Sequence, residues 1–458
     1  MCSAVPVALE CNGKLAPHFP QELSMSSAPD VQPPAGPSFP GFRKTQTAWW
    51  VVLFFLLYGV LSAAQLLIWI LALGSLAMLL LSKGEWARLP GIKIYWGMLA
   101  CLLIPGVLSL IDAINLDRAL STNARLLAYG LTGYFFVRAA PSAQQWPSTV
   151  LWLSGVLVFW SVDGLVQEWR GVSLTGYPVF TGIPEGHKVT GSLGLDYGPT
   201  LAVLSPFLFE ALRLHGRRLP GLWLAVPVLA IAVSLSASRY SALLLLVGAA
   251  LYGLICMTRG PFRGWRTTAL LVGGCLAGLL VPVWVVPHLF ERLQLLWVGL
   301  GSNPDQLNAA LAYRPELWQA SWQVFADNWV TGVGIRGSSE AIQPILAASP
   351  HFPHAMLSQP WHPHLGVLEI ATDTGVIGVM GYCLLFFIIV RIVLRGRYHS
   401  DCGAPVFLTV AALALFPFSS ALSIYSFPTG SIAWPALAFA LGGLVSGADE
   451  NSGAVGSP

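Results

Sequence analysis

Three places in the 458-residue sequence set reactive side chains in surroundings that give them a chemical task. Arg239 stands in Leu235-Ser236-Ala237-Ser238-Arg239-Tyr240-Ser241, with strongly apolar sequence on both sides. An Arg at membrane depth costs about 2.5–3.5 kcal/mol on insertion scales, so it faces a cavity or a partner, or snorkels to the interface from a span end. Arg314 opens Arg314-Pro315-Glu316-Leu317-Trp318-Gln319-Ala320-Ser321-Trp322, where Trp318 and Trp322 share one helical face. That spacing predicts an amphipathic helix at the membrane surface, either an aromatic anchor with a solvated Arg or a presented guanidinium. The third place is histidine-rich: His351 and His354, then His362 and His364, four within 14 residues.

Four imidazoles invite a metal reading, because neutral His is a common zinc or copper ligand. Against it, no helical HExxH spacing is present, Pro353 and Pro363 stiffen the pairs, and no Cys joins them. A single His acting as general base near neutral pH needs no metal. His351 and His354 fit solvated loop positions. Two weaker candidates lie upstream. Asp163 in Asp163-Gly164-Leu165-Val166-Gln167 would cap a helix or contact a sugar, and Lys188 would bind phosphate or simply be solvated.

The composition dictates which elements must position these groups. The chain is 55% hydrophobic and only 10% charged, whereas a soluble globular protein carries about 25% charged residues. That excludes a soluble enzyme, and a net charge of +3 argues against nucleic acid as a partner. Apolar blocks of about 17 to 23 residues recur, each long enough to cross ~30 Å of hydrocarbon at about 1.5 Å per residue. Twelve spans are expected, at 46-63, 65-82, 92-111, 122-138, 147-166, 191-212, 219-237, 239-257, 267-287, 367-394, 405-424 and 429-446. The first two read equally as one long helix.

Charge sets the orientation. With odd spans running outward, sixteen of the 24 Lys and Arg fall on the inner side, in short basic loops as the positive-inside rule requires. Both termini are then cytoplasmic. The remaining basic residues, on the outer side, are Arg118, Arg125, Arg170, Lys188, Arg239, Arg292, Arg314 and Arg336. The long outward segment 288-366 is where chemistry is expected, because long ordered loops in compact bundles are usually functional. Residues 1-45 and 447-458 read as tails, the first rich in Pro and without the apolar core of a signal peptide. The seven cysteines form no CxxC pair, so neither a disulfide framework nor a thiolate metal site is expected.

The motifs resemble the O-antigen ligase/polymerase superfamily, and within it the ligase-like members. The run His362-Pro363-His364-Leu365-Gly366-Val367-Leu368-Glu369, followed by Asp373-Thr374-Gly375-Val376-Ile377-Gly378, is similar to its His-Asn…Glu-x-Gly-x-x-Gly signature. Ser238-Arg239-Tyr240-Ser241 and Arg314-Pro315-Glu316-Leu317-Trp318, then Asn328-Trp329-Val330-Thr331-Gly332-Val333-Gly334, resemble its other motifs in order. Asp163-Gly164-Leu165-Val166-Gln167 and Lys188-Val189-Thr190-Gly191-Ser192 resemble the segment upstream of them. Two positions depart: Leu365 stands where the signature Asn is usual, and Lys188 where Arg is common, which loses the bidentate fork. Counting back from Gly375 places His364 in the signature position, with His362 two residues earlier.

The resemblance implies an all-α polytopic fold similar to a GT-C-type glycosyltransferase, in the bacterial inner membrane, with its site on the periplasmic face. It implies metal-independent, cofactor-free, inverting glycosyl transfer from an undecaprenyl diphosphate-linked glycan to a lipid A-core hydroxyl. His364, Arg239, Arg314 and His362 would be catalytic, and Lys188, Arg336, Asp163 and Trp318 would bind substrate. An O-antigen or exopolysaccharide polymerase and a protein O-oligosaccharyltransferase remain alternatives within the superfamily. A polysaccharide or lipid transporter is the alternative outside it, but the chain shows no convincing internal repeat.

Overall fold

The computed structural model describes residues 44–454 apart from 59–60, 82–89, 182–186, 260–263, 292–293, 295–307, 309–310, 358–360, 396–402 and 420–421. The N-terminal tail, Cys2, Cys11, Cys402 and the Asn303-Pro304-Asp305 stretch lie outside the described residues. The helices are α1 (Lys44–Tyr58), α2 (Leu61–Leu81), α3 (Pro90–Leu108), α4 (Leu116–Arg138), α5 (Trp146–Arg170), α6 (Tyr197–His215) and α7 (Ala225–Leu235). They continue as α8 (Arg239–Arg259), α9 (Gly264–Val285), α10 (Arg314–Asp327), α11 (Ser338–Ala348), α12 (Gly366–Arg395), α13 (Ala404–Ala414) and α14 (Phe427–Ala454). No strand occurs among the described residues; Val172–Pro178 and Phe180–Lys188 form isolated bridges.

Each of the twelve expected segments falls on a helix. Among the described residues, six helices, α2, α3, α5, α8, α9 and α12, are long and apolar enough to cross a membrane. Their outward faces carry exposed apolar side chains, such as Leu66, Leu73, Leu80 and Leu81 on α2, which suits hydrocarbon rather than water. Shorter apolar helical stretches run over Pro220–Leu235 and Ala404–Ala414. The expected break before Arg239 is present: α7 ends at Leu235, and Ala237 takes a left-handed φ of 52°.

The main core runs through α1 to α9 and α12 to α14, with Trp146, Tyr197, Phe207, Phe407 and Trp434 fully buried. A buried polar staple ties three helices together. Glu210 on α6 accepts from Arg213 Nε and Nη2, both at 2.7 Å, from Trp146 Nε1 of α5 at 3.1 Å, and from the Tyr252 hydroxyl of α8 at 2.5 Å. Every lone-pair direction of that carboxylate is used, which is what makes a charge tolerable there.

Two expectations need correction. Segment 405-424 is helical only to Ala414. Pro417 lacks an N–H, and residues 415–419 and 422–426 are irregular, the Pro417 carbonyl accepting the Val367 N–H at 2.9 Å. Segment 288-366 is less of a loop than expected. Besides the amphipathic α10 it holds α11, and the two helices bury a core of their own: Leu317, Ala320, Val324, Val333, Ile342, Leu346 and Phe352. Fully burying one such Leu or Phe from water stabilises by about 1.5–3 kcal/mol, so this small cap supports its own geometry.

Candidate active site

α12 is broken where the signature lies. Gly375 has φ 64° and ψ −165°, a conformation essentially restricted to glycine, and a Cβ there would stand 2.1 Å from the Val330 carbonyl oxygen. The 328–337 segment threads against this break and supplies the missing helix hydrogen bonds. The Val333 N–H donates to the Thr372 carbonyl at 3.0 Å, and the Val376 N–H donates to the Trp329 carbonyl at 2.8 Å. Gly332, at φ 71°, must also be bare, since a Cβ would stand 2.4 Å from the Asp373 carbonyl carbon.

This contact aims Arg336. Asp373, fully buried on α12, accepts the Arg336 N–H at 2.7 Å and the Ser338 N–H at 3.0 Å. Arg336 itself is left-handed, φ 62°, a conformation held by those two bonds. Glu369, one turn earlier on the same helix, is buried too. It accepts from the Ser423 hydroxyl and from the Ile424 N–H at 3.1 Å, pinning the irregular segment after α13.

Arg314 is the first residue of α10, and left-handed Tyr313 turns the chain into it. A ladder of rings then joins that turn to the histidines. Tyr313 meets Phe352 with centroids 5.6 Å apart, Phe352 meets Trp361 at 5.7 Å, Trp361 meets His364 at 6.1 Å, and His364 lies 3.8 Å from His362. The Trp361 indole N–H donates to the Met356 carbonyl at 2.7 Å, which fixes the middle rung.

Arg314, Arg336, His362 and His364 are therefore brought together. His362 is pushed down to about 4, first by burial and then by the Arg336 and Arg314 guanidinium charges, so it is neutral at physiological pH. Its Nδ1 accepts the His364 N–H at 3.3 Å, leaving the proton on Nε2. Burial also draws the Arg314 guanidinium below its ordinary value. Glu316 does not neutralise Arg314; its oxygens take Asn308 Nδ2 at 3.3 Å and the Ser349 hydroxyl at 2.9 Å.

The other candidates are Arg239, Lys188, Asp163 and Trp318. Arg239 is exposed at the start of α8. Lys188 sits nearby along the chain path: its backbone pairs with Phe180, and the next N–H, of Val189, donates to the Leu235 carbonyl at 3.2 Å. Asp163 is fully buried, with Oδ1 taking the Leu174 N–H at 2.7 Å and Oδ2 the Ser192 N–H at 2.9 Å. These two bonds tie Leu174 and Ser192 to α5. Trp318 is 38% exposed on the outer face of α10.

Strain marks the same places. The non-glycine residues with positive φ among those described are Ala237, Ala312, Tyr313, Arg336 and His364. Every one is a candidate or lies within two residues of one. Such conformations cost of order 1–3 kcal/mol and cluster at functional sites.

Residues 223–383 match the family described as O-antigen ligase. The match covers this segment and not the rest of the chain. No curated protein matches the chain. The matched segment holds Arg239, Arg314, Arg336, His362, His364 and the Gly375 break, whereas Asp163 and Lys188 precede it. Two positioning residues of that segment, Asp373 and Glu369, had no role assigned on sequence grounds. The signal was present: carboxylates inside an apolar span are expensive and therefore engaged.

Proposed function

We propose that the protein transfers a glycan from undecaprenyl diphosphate to a lipid A-core sugar hydroxyl on the periplasmic face of the inner membrane. The observation that carries this reading is the convergence of Arg314, Arg336, His362 and His364 on the broken α12, within the segment that matches the O-antigen ligase family.

The acceptor hydroxyl oxygen attacks the anomeric carbon of the donor glycan. The bond from that carbon to the diphosphate oxygen breaks, and its electron pair leaves with the diphosphate. Arg239 and Arg314 receive the charge that develops there through bidentate guanidinium contacts, which are strongest in a partly dehydrated site. The acceptor proton goes to His364. His362, held near 4, has little driving force to take a proton at neutral pH, and its Nδ1 is already engaged. It serves instead as a neutral donor through Nε2–H, in the field of both arginines. Attack opposite the leaving diphosphate inverts the anomeric centre, and the donor is already activated, so neither nucleotide nor redox cofactor enters.

A gene deletion tests the reading through the lipopolysaccharide ladder. Loss of the ladder with intact core, restored by wild type but not by Arg239→Ala, Arg314→Ala or His364→Ala, is expected. A core capped with one repeat unit points instead to polymerisation, and an unchanged ladder refutes the proposal.

A further inference from the structure

A cleft is lined by Arg336 together with Gln65, Trp69, Arg118, Ser121 and Arg125. Three guanidiniums face one space. Arg118 is held by the Ser339 hydroxyl at 2.9 Å and by Glu340 at 3.6 Å. Arg125 donates only to the Thr122 hydroxyl at 3.1 Å, and it lies within electrostatic reach of both Arg118 and Arg336. Among the described residues, neither Arg125 nor Arg336 has a carboxylate within ion-pair distance. Like charges gathered around a concave space repel unless an anion enters it, and planar forks are suited to phosphate.

The cleft does not end at the arginines. Gln65 and Trp69 of α2 line it too, and Trp69 lies with Leu66, Ile70 and Leu73 among the exposed apolar side chains of that helix. A cationic mouth beside the exposed apolar side chains of a spanning helix is complementary to one ligand form: a phosphate head with a hydrocarbon tail. Five of the six residues around the mouth precede the segment that matches the O-antigen ligase family, so the feature belongs to this chain's N-terminal half.

We infer that Arg118, Arg125 and Arg336 bind the phosphate of a membrane lipid whose chain lies along Trp69 and the exposed apolar side chains of α2. This site is separate from the Arg239 and Arg314 pair proposed to receive the donor diphosphate, and it shares only Arg336 with the histidine centre. On the glycosyl-transfer reading, it seats either the phosphorylated acyl-sugar lipid that accepts the glycan or the polyprenyl phosphate lipid beside it.

Binding is measured on the full-length protein in nanodiscs by native mass spectrometry, with lipid A, undecaprenyl phosphate, dephosphorylated lipid A and inorganic phosphate as probes. At least one phosphorylated lipid should bind, and dephosphorylated lipid A should bind about tenfold or more weakly than lipid A if that is the occupant. Arg125→Gln should weaken the phosphorylated occupant by about tenfold or more, Arg125→Lys should weaken it less, and Ser121→Asp, at an exposed position, should weaken it without loss of fold. Which of lipid A and undecaprenyl phosphate binds, and loses affinity in these variants, names the source. Arg170→Gln, at an exposed arginine in neither site, should bind as wild type, and because binding is read apart from transfer, this site can fail while the transfer reading stands, and the reverse. Equal binding by wild type and Arg125→Gln, or inorganic phosphate matching the lipids, overturns the inference.

Discussion

His362 and His364 are two residues apart with ring centroids 3.8 Å apart, yet their surroundings give them different work. His362 lies under the field of Arg314 and Arg336 and is held neutral near 4, while the transfer reading assigns the acceptor proton to His364. His364→Ala should therefore reduce transfer by about 10²–10⁴, the usual contribution of a positioned general base. His362→Gln, which keeps a neutral donor, should cost much less. Steady-state rates with a fixed acceptor distinguish them, and the reverse order would move the base to His362. A pH effect follows from burial. An unfolded His titrates near its ordinary value of about 6.5, and the folded His362 near 4. Between those values the unfolded chain binds more protons, so stability contributed by neutral His362 is complete above pH ~6.5 and declines as pH falls towards 4. Thermal unfolding in detergent should show this slope in wild type and less of it in His362→Gln. At this scale the sequence exposed the reactive types and their order. It did not reveal that Asp163 is a loop anchor, because both N–H partners, from Leu174 and Ser192, are distant in sequence.

The element that organises the site is α12, interrupted at Gly375 and mended by the 328–337 segment. Gly375→Ala combines a glycine-only conformation with a Cβ 2.1 Å from the Val330 oxygen. Strain of about 1–3 kcal/mol, added to that overlap, should separate the segment from the helix and abolish transfer. Asp373→Ala leaves the Arg336 and Ser338 N–H groups without their acceptor. It should slow transfer at least about tenfold and raise hydrogen exchange over residues 332–338, because each lost charge-assisted bond is worth about 1.5–3 kcal/mol. Unchanged exchange would mean that Asp373 does not hold the loop. Helix positions were legible from hydropathy alone, even to the break before Arg239. The end of α13 was not, because an apolar run reads the same through Phe416-Pro417-Phe418 whether it stays helical or turns. Nor was α11, whose burial depends on a partner helix rather than on a long apolar run.

Across the whole molecule, a bundle with lipid-suited outer faces carries a small water-type core at one end, and the candidate residues lie where the two meet. Connections between α3 and α4 join that end: the Ile114 N–H donates to the Val333 carbonyl at 3.0 Å, and Asn115 donates to Glu340 at 2.8 Å. Of the basic residues that the charge census assigns to the outer side, Arg314 and Arg336 lie near His362, and Arg118, Arg125 and Arg336 line one cleft. What it could not give was their grouping, since Arg118 and Arg336 meet across more than two hundred residues of chain. The most direct measurement is transfer by the purified protein in liposomes containing a chelator, undecaprenyl diphosphate-linked glycan and lipid A-core. The proposed reaction predicts that wild type attaches the glycan to the core and releases undecaprenyl diphosphate, while His364→Ala does neither. Lengthening of the glycan on undecaprenyl diphosphate with the core untouched, or full activity of His364→Ala, would contradict it.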